Sequence, residues 1–450
     1  MRYVYLISSL IIYMITFEVF PQGAFLLPEG KNHIKIKADV VNNLMIIPVQ
    51  VNGVELSLLL DTGVRSTILF NAEADYPLEL NNQSTVWLRG AGDGEPTKAI
   101  KSTQNIINVG EAAAINQTIY YVSDSAQNFS PRLGFPVHGI IGYALLKDLA
   151  VELNYQKSYV KLYEPEVFRS KKFRSCTELA FELNEGKPYL NIGLSQNDTD
   201  FQAKLLLDSG SGDALWLFEN THEDIRVSEN SFKDHLGLGL NGEVTGHRSR
   251  IAQLTLGDFN LKKVNVAYPD ELSLAYLNGV DYRNGSIGAE VLRRFTVYLD
   301  YSAKKMFLRK NRYFDEPFRY NRSGLVVEHS GFELVADIDY SISKTSGNAT
   351  ENNATKTIFL ETNMVQFPQL QLKPNYEIAA IRDDSPGAEA GLAVGDKLVK
   401  INGRDVRNLE LDDITKHFFK EEGAVLRLKV ERNGMVFNRK LRLKKLIKDQ

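Results

Sequence analysis

The six residues Leu58 to Gly63, LLLDTG, return as LLLDSG from Leu205 to Gly210, and this repeat constrains the fold more than any other feature of the chain. The two aspartates, Asp61 and Asp208, stand 147 residues apart. Each is followed, 81 and 80 residues on, by the glycine of an Ile-Gly element: Ile140-Ile141-Gly142 in the first half and Ser286-Ile287-Gly288 in the second. Beyond these glycines the halves run in register without a gap, Val151 with Val297, Leu153 with Leu299, Tyr155 with Tyr301 and Leu162 with Leu308. Self-similarity of this kind means one structural unit used twice.

The unit is β-rich. Alternation over Ile34–Lys37 and Val49–Val51, the turn Asn52-Gly53 and the apolar run Leu56–Leu60 predict strands, the last two joined as a hairpin. After each Ile-Gly element comes a short helical segment, YALLKDL from Tyr143 and AEVLRRF from Ala289, and then two strands. The lobes are expected over 24–165 and 166–315. Neither half shows βαβ alternation or a glycine-rich phosphate loop, which excludes the common nucleotide-binding architectures.

An Asp-Thr/Ser-Gly turn directly after three leucines puts a carboxylate at the end of a buried strand. The hydroxyl residue can bond the loop, and the glycine permits close backbone approach. If twofold packing brings two such turns together, the carboxylates must share a proton, because like charges at contact cannot both ionise. One then serves as base toward a water and the other as acid toward a carbonyl. A lone triplet of this type often does no more than buttress a turn; two in register, each with its own Ile-Gly element, point to chemistry.

At these residues, from about Lys31 to Asn311, the chain resembles the aspartic proteases, in a retropepsin-like form with two lobes fused in one chain. The resemblance implies a mainly β, bilobal, pseudo-twofold fold with Asp61 and Asp208 as the catalytic dyad. It implies loop support from Thr62, Gly63, Ser209, Gly210 and Ser211, and packing beneath the loops by Ile140, Ile141, Gly142, Ile287 and Gly288. Ser286 departs from the family's apolar pair. A β-hairpin flap is expected around Trp87, Gly90, Gly92 and Gly94, with Leu236–Thr245 as its counterpart in the second lobe. Ser211 follows the second triplet, whereas Val64, which cannot donate a hydrogen bond, follows the first. Asp208 is therefore expected to be the better stabilised anion and Asp61 the proton carrier.

Past Asn311, RYFDEPFRYNRSG reads as a connector, and 341–357 as a polar insertion. The block SPGAEAGL…GDKLVKINGRDV, with a helix near Leu411–Phe419 and two closing strands, resembles a PDZ domain of the kind attached to bacterial exported proteases. The resemblance implies an α+β domain over 316–450 that binds an extended or C-terminal peptide by strand addition. Gly324, Leu325 and Val326 would begin the carboxylate loop, and Ile414 and Phe418 would line the helix side of the groove.

The first 23 residues carry Arg2 and then a mostly apolar run from Tyr3 to Phe20, which reads as a signal peptide or an uncleaved anchor. The bulk of the chain is expected to be exported, periplasmic or extracellular, with membrane attachment if the segment is retained. With 53 Lys and Arg against 56 Asp and Glu, a net formal charge of −3, nothing attracts nucleic acid globally. The single Cys176 and seven histidines without paired-ligand spacing imply neither a metal nor an organic cofactor. Fusion of the lobes removes the need for a homodimer, so a monomer is expected. The function expected is an aspartic endopeptidase acting on polypeptides. The alternatives are a catalytically weak or inactive peptide- or misfolded-protein-binding protein, or a processing protease dedicated to one membrane-associated partner.

Overall fold

The two LLLD segments end equivalent strands of two eight-stranded sheets that match strand for strand. The computed structural model describes residues 23–448 apart from 71–77, 124–127, 170–172, 174, 198, 276, 278–281 and 339–367. In the first sheet the strands lie in the order Asp39–Val41, Leu44–Val51, Val54–Leu60, Gly139–Ile141, Thr67–Phe70, Ala112–Val122, Thr97–Val109, Ser84–Leu88. The second runs Glu182–Asn184, Lys187–Gln196, Thr199–Asp208, Gly285–Gly288, Leu215–Leu217, Phe259–Pro269, Gly242–Leu256, Phe232–Gly239. The hairpin at Asn52-Gly53 forms as its sequence requires, with both residues at positive φ, 49° and 86°.

A third sheet, of six strands, joins the lobes. Its two central strands, Ala150–Asn154 and Phe295–Asp300, pair antiparallel with Val151 opposite Leu299 and Leu153 opposite Val297. Each residue thus faces the repeat-mate of its neighbour, which places the pseudo-twofold axis between these strands. All four side chains are essentially inaccessible to solvent, and burying each contributes about 2 kcal/mol. One contiguous apolar core runs through both lobes.

The expected connector is strapped to the second lobe. Arg294, fully buried, donates to the carbonyls of Tyr313, Phe314 and Glu316 and stacks over the Phe318 ring at 3.7 Å. Phe314 meets Phe259 and Phe295 edge-on. This guanidinium is held mainly by carbonyls, with the Glu290 carboxylate 4.0 Å from a Nη2 that has no hydrogen bond, a pattern that composition does not signal.

The C-terminal domain has its own core. Its sheet runs Leu325–Ile338, Pro368–Ile381, Lys397–Ile401, Val425–Arg432, Met435–Arg442, with Leu325–Ile338 at the edge. Ser385 caps the helix Pro386–Glu389 by accepting from the Ala388 amide. Asp396 is buried against Arg432 and accepts the Ala393 amide at 2.9 Å, which explains the Gly-Asp element of the sequence. The polar insertion at 341–357 and all but the last residue of the N-terminal segment lie outside the described residues. Among the described residues no helix is long and apolar enough to cross a membrane.

Candidate active site

Asp61 and Asp208 meet at the centre of a cleft of about 1520 Å³. Each follows a strand whose apolar residues, including Leu58, Leu60, Leu205 and Leu207, are wholly buried. Each strand is flanked in parallel by its Ile-Gly element: Leu60 pairs with Ile141, and Asp208 with Gly288. The Asp61 amide donates to the Ile141 carbonyl at 2.9 Å. A Cβ on Gly142 would lie 2.1 Å from the Asp61 carbonyl oxygen, and one on Gly288 2.2 Å from that of Asp213, so neither position has room for a side chain. Ile140 lines the cleft, while Ile141 and Ile287 are buried beneath it. Ser286, also buried, completes the second element without disturbing its pairing.

The two triplets hold each other reciprocally. The Thr62 amide donates to Ser209 Oγ at 3.0 Å and the Ser209 amide to Thr62 Oγ1 at 2.9 Å. Thr62 Oγ1 donates to the Leu207 carbonyl at 2.6 Å, and Ser209 Oγ to that of Leu60 at 2.8 Å. Gly63 and Gly210 turn their amides onto Oδ1 of Asp61 and Asp208 at 2.6 and 3.1 Å. A Cβ on Gly210 would stand 2.3 Å from the Asp61 carboxyl carbon, which measures how closely each loop is pressed on the opposite carboxylate.

Burial, with Asp208 beside it, pushes the Asp61 carboxyl far above the usual carboxylate range, and the Gly63 amide offsets this only in part. Burial raises Asp208 too, but the Arg283 guanidinium and a hydrogen bond from Asp61 pull it back. These influences favour the charged form at Asp208 over Asp61. The sequence argument reached the same direction through Ser211, but no hydrogen bond joins Ser211 Oγ to Asp208. The asymmetry comes from Arg283, 75 positions further along the chain.

Two hairpins arch over the dyad and bond to each other. The first is formed by Ser84–Leu88 and Thr97–Val109, the second by Phe232–Gly239 and Gly242–Leu256. Asn241, at the tip of the second and 2% exposed, accepts from the Gly90 amide through Oδ1. Its Nδ2 donates to the Glu95 carbonyl at 2.8 Å and to Thr97 Oγ1 at 3.1 Å. The Gly94 amide donates to the Asn241 carbonyl at 2.6 Å, and the Asn241 amide to that of Ala91 at 2.9 Å. Gly90, Gly92 and Gly94 each pack against Leu240–Gly242 closely enough that a Cβ would clash. Trp87 is different: 66% exposed, it neither lines the cleft nor joins the core, because its edge strand turns that face to solvent.

The C-terminal domain abuts the second hairpin. Asp234, in that hairpin's outer strand, pairs with Arg248 at 2.9 Å and with Arg382 at 3.3 Å, and Arg248 pairs in turn with Asp213 at 2.8 Å. Arg132 bridges Glu243 near the hairpin tip, at 3.1 Å, to Glu328 on the edge strand, at 2.8 Å. Gly324, at φ 75°, leads into Leu325 and Val326, and all three line the same cleft as the two aspartates, as does Phe418. Ile414 is wholly buried in the domain's own core and does not line it. The first lobe approaches the edge strand and the helix Leu411–Thr415, with Gly134 packed against the Leu411 side chain. Asn241, Arg283, Lys187 and the Asp213–Arg248–Asp234–Arg382 chain carry no motif, and sequence reasoning passed over them.

Residues 47–145 match the aspartyl protease family. Residues 377–432 match the PDZ domain. The chain joins an aspartyl-protease-like domain to a PDZ domain. Among solved structures, the aspartic proteinase from Irpex lacteus is similar over 63% of this chain and 99% of its own, at 12% sequence identity and a TM-score of 0.41. No curated protein matches the sequence. In the protease-like part the family match lies within the first lobe and includes Asp61, Val64 and the Gly90–Gly94 tip.

Proposed function

We propose that the chain is an aspartic endopeptidase in which Asp208, as the anion, takes a proton from a water while Asp61 gives its proton to the oxygen of the scissile carbonyl. The observation that carries this reading is the reciprocal Thr62–Ser209 bonding, which holds two half-buried carboxyls side by side at the ends of equivalent strands. A shared proton leaves one group charged and one neutral, as an acid–base pair requires.

In this reading the joined hairpins part to admit a polypeptide and close over it again. The PDZ loop at Gly324–Val326 opens into the same cleft, so a peptide held there lies close to the dyad. The PDZ domain in this reading delivers polypeptide to the protease.

The test is digestion of a diverse peptide mixture by the chain lacking residues 1–23, read by mass spectrometry from pH 3 to 8 beside Asp61→Asn and Asp208→Asn. Cuts that both substitutions abolish support the reading. Cuts that survive either substitution refute it.

A further inference from the structure

The pseudo-twofold axis relates each residue of one cleft wall to a counterpart across the dyad, and at two places the counterparts differ sharply in chemistry. In the first lobe Leu44 pairs with Val41 across a tight turn; in the second Lys187 pairs with Asn184 across the equivalent turn. The His138 amide donates to the Ser57 carbonyl at 2.8 Å and the Asn284 amide to the Lys204 carbonyl at 2.8 Å, which makes Val137 the counterpart of Arg283. All four residues line the cleft together with Asp61 and Asp208. The axis thus exchanges an apolar pair, Leu44 and Val137, for a cationic pair, Lys187 and Arg283.

Among the described residues the cationic pair has no carboxylate at ion-pair distance. Arg283 is 8% exposed, and its buried Nε and Nη1 have no hydrogen-bond acceptor. The guanidinium lies over the Phe218 ring, 5.2 Å from its centroid. Among the described residues neither Lys187 nor Arg283 forms an ion pair. Burial disfavours both charges, and Arg283 adds to this at Lys187; Asp61, Asp208 and Glu185 offset it at Lys187, and Asp208 and Tyr189 at Arg283. Of the carboxylates only Asp208 acts on the Arg283 guanidinium, whose buried Nε and Nη1 keep no acceptor. Such a charge is costly until an anion arrives, and a guanidinium fork fits a carboxylate in two parallel bonds.

We infer that Lys187 and Arg283 form a subsite for a substrate carboxylate on one side of the scissile bond, and that Leu44 and Val137 form a subsite for an apolar side chain on the other. The carboxylate is an Asp or Glu side chain or the substrate's own C-terminus. This inference rests on Asp61 and Asp208 being the reacting pair.

The experiment uses the chain lacking residues 1–23 and matched peptides with Glu or Gln beside an apolar residue, each as the free acid and as the C-terminal amide. The expected result is that the wild-type protein cuts the carboxylate-bearing peptides with kcat/KM on the order of 10² higher than their neutral counterparts. Arg283→Gln and Lys187→Met should each bring that ratio to one, whatever either does to the overall rate. A preference that follows Glu assigns the side chain, and one that follows the free acid assigns the C-terminus. Equal cutting of all four peptides overturns the inference and leaves the protease reading standing, as does an equal fall on Glu and Gln peptides in Arg283→Gln, which would mean that Arg283 acts only on Asp208. If nothing is cut, the same peptides are titrated by fluorescence anisotropy. A carboxylate preference in Kd that Arg283→Gln removes keeps the subsite and overturns the protease reading; binding without that preference, or none, overturns the subsite.

Discussion

Thr62 and Ser209 each donate a backbone amide to the other's hydroxyl oxygen, at 3.0 and 2.9 Å, across the pseudo-twofold axis. Both are 1% exposed, so neither bond can be replaced by water.

Thr62→Val keeps the shape and removes the hydroxyl. It leaves the Ser209 amide and the Leu207 carbonyl unsatisfied, and the expected loss is about 2–4 kcal/mol of unfolding free energy. Thr62→Ser keeps both bonds and should lose about 1 kcal/mol, for one buried methyl. Denaturant unfolding of the three proteins side by side measures the difference.

The raised carboxyl of Asp61 makes stability depend on pH with a definite sign. Its proton is held to about pH 8 in the folded chain, against an ordinary value of 3.8. Folding therefore binds a proton that the unfolded chain releases on its way to neutrality. The associated stability is fully present below about pH 4, declines as pH rises and is gone above about pH 8. The melting temperature of the wild-type protein should fall between pH 5 and pH 8 by more than that of Asp61→Asn, which has no such proton to lose. Peptide cutting should fall over the same alkaline limb.

The Asn241 side chain makes three of the bonds that join the hairpin tips. Asn241→Ala should weaken the junction by about 2 kcal/mol, which is on the order of 30-fold in the opening equilibrium. Amide exchange at Gly90, Gly92 and Gly94 should quicken by that factor, while exchange in the strand Ala150–Asn154 stays unchanged.

Asp234 ties Arg248 of the second lobe to Arg382 of the PDZ domain, and both ion pairs are largely shielded. Asp234→Asn leaves two guanidiniums without their shared carboxylate, at an expected loss of about 3 kcal/mol in the interface. Calorimetry should then show the PDZ domain melting apart from the lobes, and protease nicking should appear between residues 311 and 324.

What the sequence disclosed was whatever sits in a contiguous string. LLLDTG and LLLDSG, their Ile-Gly elements and the glycines of the hairpin tips each write their geometry into neighbouring residues. Arg283 and Lys187 lie 96 positions apart and meet only once the second sheet has folded, so no local pattern could pair them. Asn241 reads as an ordinary Asn-Gly turn, and its role exists only because the other hairpin arrives above it. Trp87 was ambiguous because apolar residues of an edge strand follow the same alternation whether or not anything covers them. Ser211 and Arg283 favour the same aspartate in principle, and only the folded arrangement separates a hydroxyl without a bond to Asp208 from a guanidinium whose charge acts on it.

The strands Ala150–Asn154 and Phe295–Asp300 join two copies of one unit that are no longer identical. In a pair of identical subunits any change to one wall would appear on both, and a polypeptide would be received alike from either end. Here Leu44 and Lys187 can diverge independently, so the molecule has a front and a back. In the proposed reading a threaded polypeptide meets the two walls in an order set by its own N-to-C direction, and writing a good substrate backwards would not give another good substrate.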